Sequence, residues 1–402
     1  MAFADAVSRR FTRPRATLAT CGAGHFLHDG YHDLLLVLLP IWQLGFGLSL
    51  TQVGLIMTCY TGAMAGFQIP AGLWAERAGE RVPLAVGTLV TALGFVALAA
   101  ADGFAALVGI LLVAGLASGV QHPLASTMVA RAYDAGGRRL AIGTYNFSGD
   151  LGKMTVPALA ALIIAGADWR VATAGFGVLG VAMAPAIYLA LRALRAGQPG
   201  TPARPGRQAG TGWGIVNRRG FGALSAIGII DTGTRLGFLT FLPFLLIGKG
   251  LGVEQVGLAL MLIFAGGAAG KLACGFLAER VGVIRTVVLT EAATGGGILL
   301  LIFLPLAPAL VLLPVLGAAL NGTSSVLYGS VADFVSPERR ARAFGLFYTL
   351  GVAAGEASPS IFGVVSDLTG VETTIAIIGA GALTTIPLAR VFQLSIAPAG
   401  AG

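Results

Sequence analysis

Charge is what this chain has least of: only 11% of its 402 residues are Asp, Glu, Lys or Arg, against about 25% in an average globular domain. With 56% hydrophobic residues and a mean hydropathy of +0.84, that scarcity excludes a soluble protein. Cysteine is almost as rare. Cys21, Cys59 and Cys274 lie in apolar runs without metal spacing or an even-numbered framework, so they read as buried thiols. No phosphate loop or dinucleotide glycine fingerprint is present, which argues against ATP-driven work and against a bound cofactor. Acidic residues (18) are fewer than basic ones (26), and the resulting net charge of +8 would suit nucleic acid. The placement of the charges excludes that reading.

Glycine, by contrast, is abundant at 60 residues, and small residues let transmembrane helices approach closely. Cutting at Gly, Pro and charge clusters yields twelve segments, at 17–44, 51–76, 82–101, 104–130, 140–165, 168–191, 221–247, 254–278, 284–305, 307–334, 341–366 and 371–393. Each is long enough to cross about 30 Å of hydrocarbon with some tilt. With the N-terminus inside, external loops hold only Arg170 and Lys249, and Lys153, Arg235 and Lys271 fall within spans. The remaining 21 of the 26 basic residues, Arg138, Arg139, Arg339, Arg340 and Arg342 among them, fall on the cytoplasmic side. The positive-inside rule then places both termini in the cytoplasm and the chain in the cell (inner) membrane. Arg9, Arg10, Arg13 and Arg15 resemble a signal n-region, but the apolar run behind them is too long and lacks a cleavage site, so a retained first helix is expected.

The chain repeats itself. At an offset of 203, Pro40 meets Pro243 and Gln52-Val53-Gly54-Leu55 meets Gln255-Val256-Gly257-Leu258; Gly72, Ala75, Glu76, Arg77 and Gly79 meet Gly275, Ala278, Glu279, Arg280 and Gly282. At an offset of 202, Gly115, Gly143, Gly149 and Pro157 meet Gly317, Gly345, Gly351 and Pro359. Between the copies, residues 192–220 are rich in Gly, Pro and Arg and suit a solvated linker. The expected organisation is an N-terminal six-helix bundle over 1–191, a cytoplasmic linker over 192–220 and a C-terminal six-helix bundle over 221–402. The fold class is all-α membrane protein, with twelve transmembrane helices in two bundles related by a pseudo-twofold axis along the membrane normal.

Gly72-Leu-Trp-Ala-Glu76-Arg77-Ala-Gly79-Glu80-Arg81 resembles the loop 2–3 signature of the major facilitator superfamily, G-x-x-x-D-R-x-G-R-R, and Gly275-Phe-Leu-Ala-Glu279-Arg280-Val-Gly282 repeats it. Glu stands for Asp, and Glu80 for a basic residue. The resemblance assigns Gly72, Glu76, Arg77, Gly79, Arg81, Gly275, Glu279, Arg280 and Gly282 to a cytoplasmic gate, with Gly72 as a point of tight helix packing. Within the superfamily the chain resembles the fosmidomycin-resistance branch through Gly24-His25-Phe26-Leu27-His28-Asp29, Gly119-Val-Gln-His122-Pro123 and Gly136-Gly137-Arg138. It departs from the branch pattern at Leu124 and at Asp150 and Lys153. Where many antiporters end a span 5 signature in Gly-Pro, this chain has Val156-Pro157. The resemblance implies a monomeric secondary transporter with a small-molecule substrate, and it favours export.

Three of the four histidines and two aspartates crowd into residues 25–33 of the first span. Each mid-helix aspartate costs insertion about 2.5–3.5 kcal/mol unless it faces a polar interior. His25, Asp29 and His32 fall at i, i+4 and i+7, one helical face, and form with Asp33 the candidate proton-coupling set. At 1.5 Å per residue, Asp29, Asp150, Asp231, Arg235 and Glu356 lie about 16–23 Å deep, near the midplane. Lys271 and His122 lie nearer the cytoplasm. Asp150–Lys153 and Asp231–Arg235 are spaced as local pairs. Arg235, Lys153 and Lys271 are the candidate anion contacts, with Asp231, Asp150, Glu356 and His122 completing the candidate substrate set. Glu291 is expected at the periphery. The expected function is proton-coupled transport of a small polar, anionic organic solute or drug by alternating access, with protons, substrate and the lipid bilayer as partners and no catalytic residues. Uptake of an organic anion is one alternative. Others are carriage of a transition metal on the His25/Asp29/His32 face with His122 as a fourth ligand, and an intramembrane receptor or enzyme.

Overall fold

The computed structural model describes residues 2–133, 135–198, 214–336 and 340–396. Residues 199–213 of the expected linker, and Arg339, lie outside the described residues. No strand forms among the described residues; one antiparallel bridge joins Ile215 and Val335. The helices are α1 (Ala2–Phe46), α2 (Leu50–Ala78), α3 (Arg81–Leu98), α4 (Phe104–Ser118), α5 (Gln121–Ala132), α6 (Ala135–Gly166), α7 (Trp169–Ala193), α8 (Arg218–Gly248), α9 (Val256–Val281), α10 (Val283–Phe303), α11 (Leu306–Ser330), α12 (Arg340–Thr369), α13 (Val371–Leu383) and α14 (Thr385–Ile396).

Two of the expected spans are broken. A proline offers no N–H to the carbonyl four residues before it, and its ring crowds that carbonyl. Pro123 stands four residues after Gly119, where α4 gives way to α5, and Pro387 stands four after Leu383, where α13 gives way to α14. Counting each broken pair as one span, nine segments among the described residues are long and apolar enough to cross a membrane. The more polar α1, α2 and α12, of 45, 29 and 30 residues, complete the twelve.

Contacts divide the chain into two units. The first comprises Met1–Leu48 and Cys59–Arg204, and the second Ser49–Thr58 and Pro205–Gly402. In the first, α1 packs on α6 and α3 on α7; in the second, α8 packs on α12, α10 on α13 and α9 on α11. The sequence repeat is also a packing repeat. Gly115 lies against the backbone carbonyl of Tyr60, and Gly317 against that of Ile263, 203 residues on. Gly94 abuts Ala114, and Gly297 abuts Leu316. Gly79 and Gly282, which close the two copies of the signature, both adopt left-handed backbone (φ +75° and +90°), a conformation that favours glycine. Gly72 does not serve close packing: a Cβ there would meet nothing within 4 Å. The crowded glycines lie instead at helix crossings such as Gly115, Gly317 and Gly152, the last against the backbone of Phe26.

The start of α2 belongs to the second unit because α12 holds it. Asp367 accepts hydrogen bonds from the N–H groups of Leu50 (2.8 Å) and Thr51 (2.9 Å) and from the Thr51 hydroxyl (2.5 Å). It supplements the local cap, in which Ser49 Oγ accepts from the Gln52 N–H at 3.2 Å, by satisfying donors that no turn of α2 can. Slight burial pushes the Asp367 carboxyl upward, but the hydrogen bonds from Thr51 and Leu50 outweigh it and hold the group below its usual range.

Two outcomes follow from this packing. Gly115→Val and Gly317→Val should each lower thermal stability in detergent by at least the about 1–3 kcal/mol typical of overpacking, because backbone rather than a movable side chain blocks the added atoms. A folded-state pKa below the unfolded one stabilises above the unfolded value and loses its effect as pH falls through the folded value. Asp367→Asn should therefore lower the melting temperature at neutral pH, and the gap to the native protein should close below about pH 4.

Candidate functional site

The first unit gathers its polar groups around Asp29, which is 6% exposed. His25 lies one turn before it on α1, with its Nε2 3.3 Å from Asp29 Oδ1. His28 Nε2 and His122 Nε2 approach the same oxygen at 3.9 and 3.7 Å, and Lys153 Nζ lies 3.4 Å from Oδ2. Three elements build this arrangement: α1, α6 through Lys153, and the start of α5 through His122, where the break before Pro123 places the imidazole at the cluster. The close approach of α6 depends on Gly149, whose Cβ, if present, would sit 2.6 Å from Asp29 Oδ2 and 2.6 Å from His25 Cε1.

The hydrogen-bond network fixes one tautomer. His25 Nδ1 lies 2.8 Å from the carbonyl oxygen of Tyr145, and its ring stacks on the Tyr145 ring at 4.2 Å. A carbonyl only accepts, so Nδ1 carries the hydrogen. Neutral His25 therefore turns a lone pair toward the Asp29 carboxylate, two acceptors facing each other. One additional proton on the pair converts that repulsion into a charge-assisted hydrogen bond. His28 is tied separately: its Nδ1 lies 2.8 Å from Ser118 Oγ, which in turn contacts Tyr60 Oη at 3.1 Å.

The residues expected to act together divide into several groups. His25, Asp29, His122 and Lys153 come together. His32 does not share the His25–Asp29 contact: its Nδ1 pairs with Asp33 Oδ1 at 2.7 Å, so the i, i+7 member of the expected face forms a second pair. Lys153 reaches Asp29 on another helix in addition to having Asp150 nearby in sequence. Asp231 makes no direct ion pair with Arg235 among the described residues; its hydrogen-bonding neighbour is Glu291, and Arg235 acts on it through charge alone. Glu291 is not peripheral but 1% exposed. Asp150, Arg235, Lys271 and Glu356 are half-buried on α6, α8, α9 and α12. In the signature, Glu76, Arg77, Glu279 and Arg280 are exposed, and the surroundings of Gly275 lie outside the described residues. The buried acid is Glu80, paired with Arg131, while Arg81 lies over the Tyr188 ring at 5.3 Å. Sequence reasoning left out His28 and Tyr145. His28 stood inside the quoted Gly24–Asp29 motif, whereas nothing local marks Tyr145, whose contribution is a backbone carbonyl.

His25, Asp29 and His122 each offer one ligand atom, all within 4.8 Å of one another, so the set that could hold a metal includes His122 rather than His32. A divalent ion there would face the Lys153 ammonium, which already compensates the same carboxylate; that repulsion favours a proton over a metal.

Comparison with known proteins agrees with the fold. The Major Facilitator Superfamily model matches residues 21–359 and 224–400. The chain belongs to that superfamily. It is 25% identical to the Fosmidomycin resistance protein of Escherichia coli (strain K12), over 90% of this chain and 89% of that one. It is also 25% identical to the Probable sulfoacetate transporter SauU of Cupriavidus necator, over 86% and 87%. Among solved structures, the nucleoside transporter NupG superposes with a TM-score of 0.77 at 14% identity, covering 94% of this chain and 99% of that one. A bacterial homolog to the human lysosomal transporter Spinster superposes with a TM-score of 0.74 at 17% identity, covering 96% and 97%.

Gly149→Ala should separate α6 from the His25–Asp29 pair. Transport in membrane vesicles is expected to collapse while the protein still inserts, and Gly143→Ala, with open space around it, should transport normally.

Proposed function

We infer that this membrane-spanning transporter is a proton-coupled secondary carrier of small organic anions, favouring export, with both termini on the cytoplasmic side of the cell membrane. The observation that carries the reading is the His25–Asp29 pair. With Nδ1 committed to the Tyr145 carbonyl, a hydrogen bond between the two groups needs a proton on His25 Nε2 or on Asp29, and the pair is buried on a helix that must cross the bilayer. A coupling site needs such a group, one whose proton is held or released according to its surroundings. Lys153 serves as its exchangeable counter-charge. The Lys153 ammonium lies against the Asp29 carboxylate, so a change in the charge of either group is felt by the other through one contact.

The anion class rests on the half-buried cations Lys153, Arg235 and Lys271 and on the name of one relative, since sulfoacetate carries a sulfonate and a carboxylate. Export rests on the resistance named for the other relative. Asp33 with His32, and Asp150, Asp231, Glu356 and His122, complete the polar set in supporting roles. The chain acts as a monomer and catalyses no covalent step.

Counterflow and gradient-driven uptake in proteoliposomes, screened with sulfoacetate, phosphonates and carboxylates, test the reading. Asp29→Asn should retain exchange at equal pH while losing accumulation driven by a pH gradient. Accumulation that survives in Asp29→Asn would move the proton elsewhere, and transport that responds to divalent metal in place of an organic anion would replace the substrate class.

A further inference from the structure

α7 ends on a residue that its backbone does not favour. α1 and α8 close in a common hydrogen-bonded turn, in which the Leu48 N–H reaches the Gln43 carbonyl and the Leu251 N–H the Leu246 carbonyl, each at 3.0 Å. Gly47 and Gly250 supply the left-handed residue that this turn needs (φ +64° and +97°). α7 closes in the same way, with the Ala196 N–H 2.9 Å from the Leu191 carbonyl and the Arg195 N–H 3.1 Å from that of Arg192. Here, however, the left-handed residue is Arg195 (φ +54°), the one non-glycine residue with positive φ among the described residues. A side chain there carries strain that glycine avoids. Strain of this kind points to work done by the side chain.

The turn places that side chain in a charged hollow. The Gly197 carbonyl accepts from the N–H of Arg81, at the start of α3, at 3.1 Å. A Cβ on Gly197 would come within 2.7 Å of that nitrogen and 2.7 Å of Met128 Sδ, so the turn lies flush on α3 and α5. With the start of α1 it bounds an open cavity of about 450 Å³, whose charged lining is Arg13, Glu80, Arg131 and Arg195. All of it belongs to the first unit. Glu80 is 6% exposed; one oxygen pairs with Arg131, and Oε2 has no hydrogen-bond partner among the described residues. Arg13 and Arg195 are exposed and make no ion pair among the described residues.

Three guanidiniums facing one carboxylate leave an excess of positive charge on a concave wall, which concentrates anions. Guanidinium forks match the oxygens of a phosphate. The buried Glu80 oxygen adds a second requirement, because an acceptor out of water needs a donor. Arginines kept only to orient the chain in a membrane need neither a strained backbone nor a cavity; Arg192, a turn earlier on α7, is exposed and outside the lining.

We propose that Arg13, Arg131 and Arg195 bind the phosphate of a phosphorylated ligand, and that Glu80 accepts a hydrogen bond from a hydroxyl of the same ligand. The site shares no residue with the His25–Asp29 cluster and is independent of what the protein carries and of what drives it. A lipid headgroup and a soluble organic phosphate both offer this chemistry.

Isothermal titration of the delipidated protein in a neutral detergent tests the site, with glycerol phosphate and methyl phosphate as probes. Glycerol phosphate should bind saturably, and methyl phosphate, which lacks the hydroxyls, more weakly. Arg195→Gly removes the guanidinium and relieves the backbone. It should leave the melting temperature of the empty protein undiminished while weakening glycerol phosphate by about tenfold or more. Arg13→Gln should weaken binding likewise, and Arg192→Gln should not. Phosphatidylglycerol added to the micelles separates the sources: competition with glycerol phosphate identifies a lipid headgroup, and an unchanged titration a soluble phosphate. No saturable binding, or binding that survives in both Arg195→Gly and Arg13→Gln, overturns the site. Equal affinity for methyl phosphate overturns the role of Glu80.

Discussion

A carboxylate that must cross a bilayer sets the conditions for much of the first unit. Asp29 is not a residue that helix propensity or apolar packing would place in the middle of α1, and its solvation has to be rebuilt from side chains. Imidazoles from α1 and α5 and an ammonium from α6 supply that solvation. Bringing three helices to one carboxyl group requires them to lie unusually close. That closeness explains the glycines at the α1–α6 crossing, where Gly30 faces Val156 and Gly152 faces the backbone of Phe26. In the absence of a hydrophobic driving force between helices in lipid, such contact packing is itself a main source of association. The polar site and the glycine seams are therefore parts of one solution.

The two prolines that break α4/α5 and α13/α14 do comparable work in different places. One break delivers His122 to Asp29, and the other delivers Thr385 to Glu291. The backbone stays in the right-handed helical region at Gly119, Val120 and Thr384, so each break is a local loosening of the hydrogen-bond ladder and not a change of helical rotation. In each unit, then, a titratable carboxyl lies beside a helix break.

Much of the architecture was legible in the sequence because it depends on quantities the sequence carries directly. Span length and the 202–203 residue repeat need no knowledge of contacts, and the twelve segments, with two of them broken, correspond to them. The His25–Asp29 contact was legible too, being an i, i+4 relation on one helix. His32 was misplaced by the same reasoning, since facing the same way does not decide which neighbour a side chain takes, and adjacent Asp33 was nearer. The partners of Asp231 and Lys153 were illegible because they come from other helices. Local spacing offered Arg235 and Asp150, whereas packing added Glu291 and Asp29. Gly72 shows the opposite error: a glycine in a signature was read as a packing contact, yet the space beside it is open.

The register of the two halves carries a consequence for how their chemistry arose. At an offset of 203, Asp231 corresponds to His28 and Glu291 to Thr88. His28 and Thr88 line one small cavity in the first unit, as Asp231 and Glu291 meet in the second. What the duplicated halves have in common is thus a meeting point between two helices and not the groups that occupy it. One copy holds an imidazole and a hydroxyl, the other two acids, and the ancestral address has been furnished twice with different tenants. Residues at such a crossing can differ between the halves while the helices themselves stay where they were.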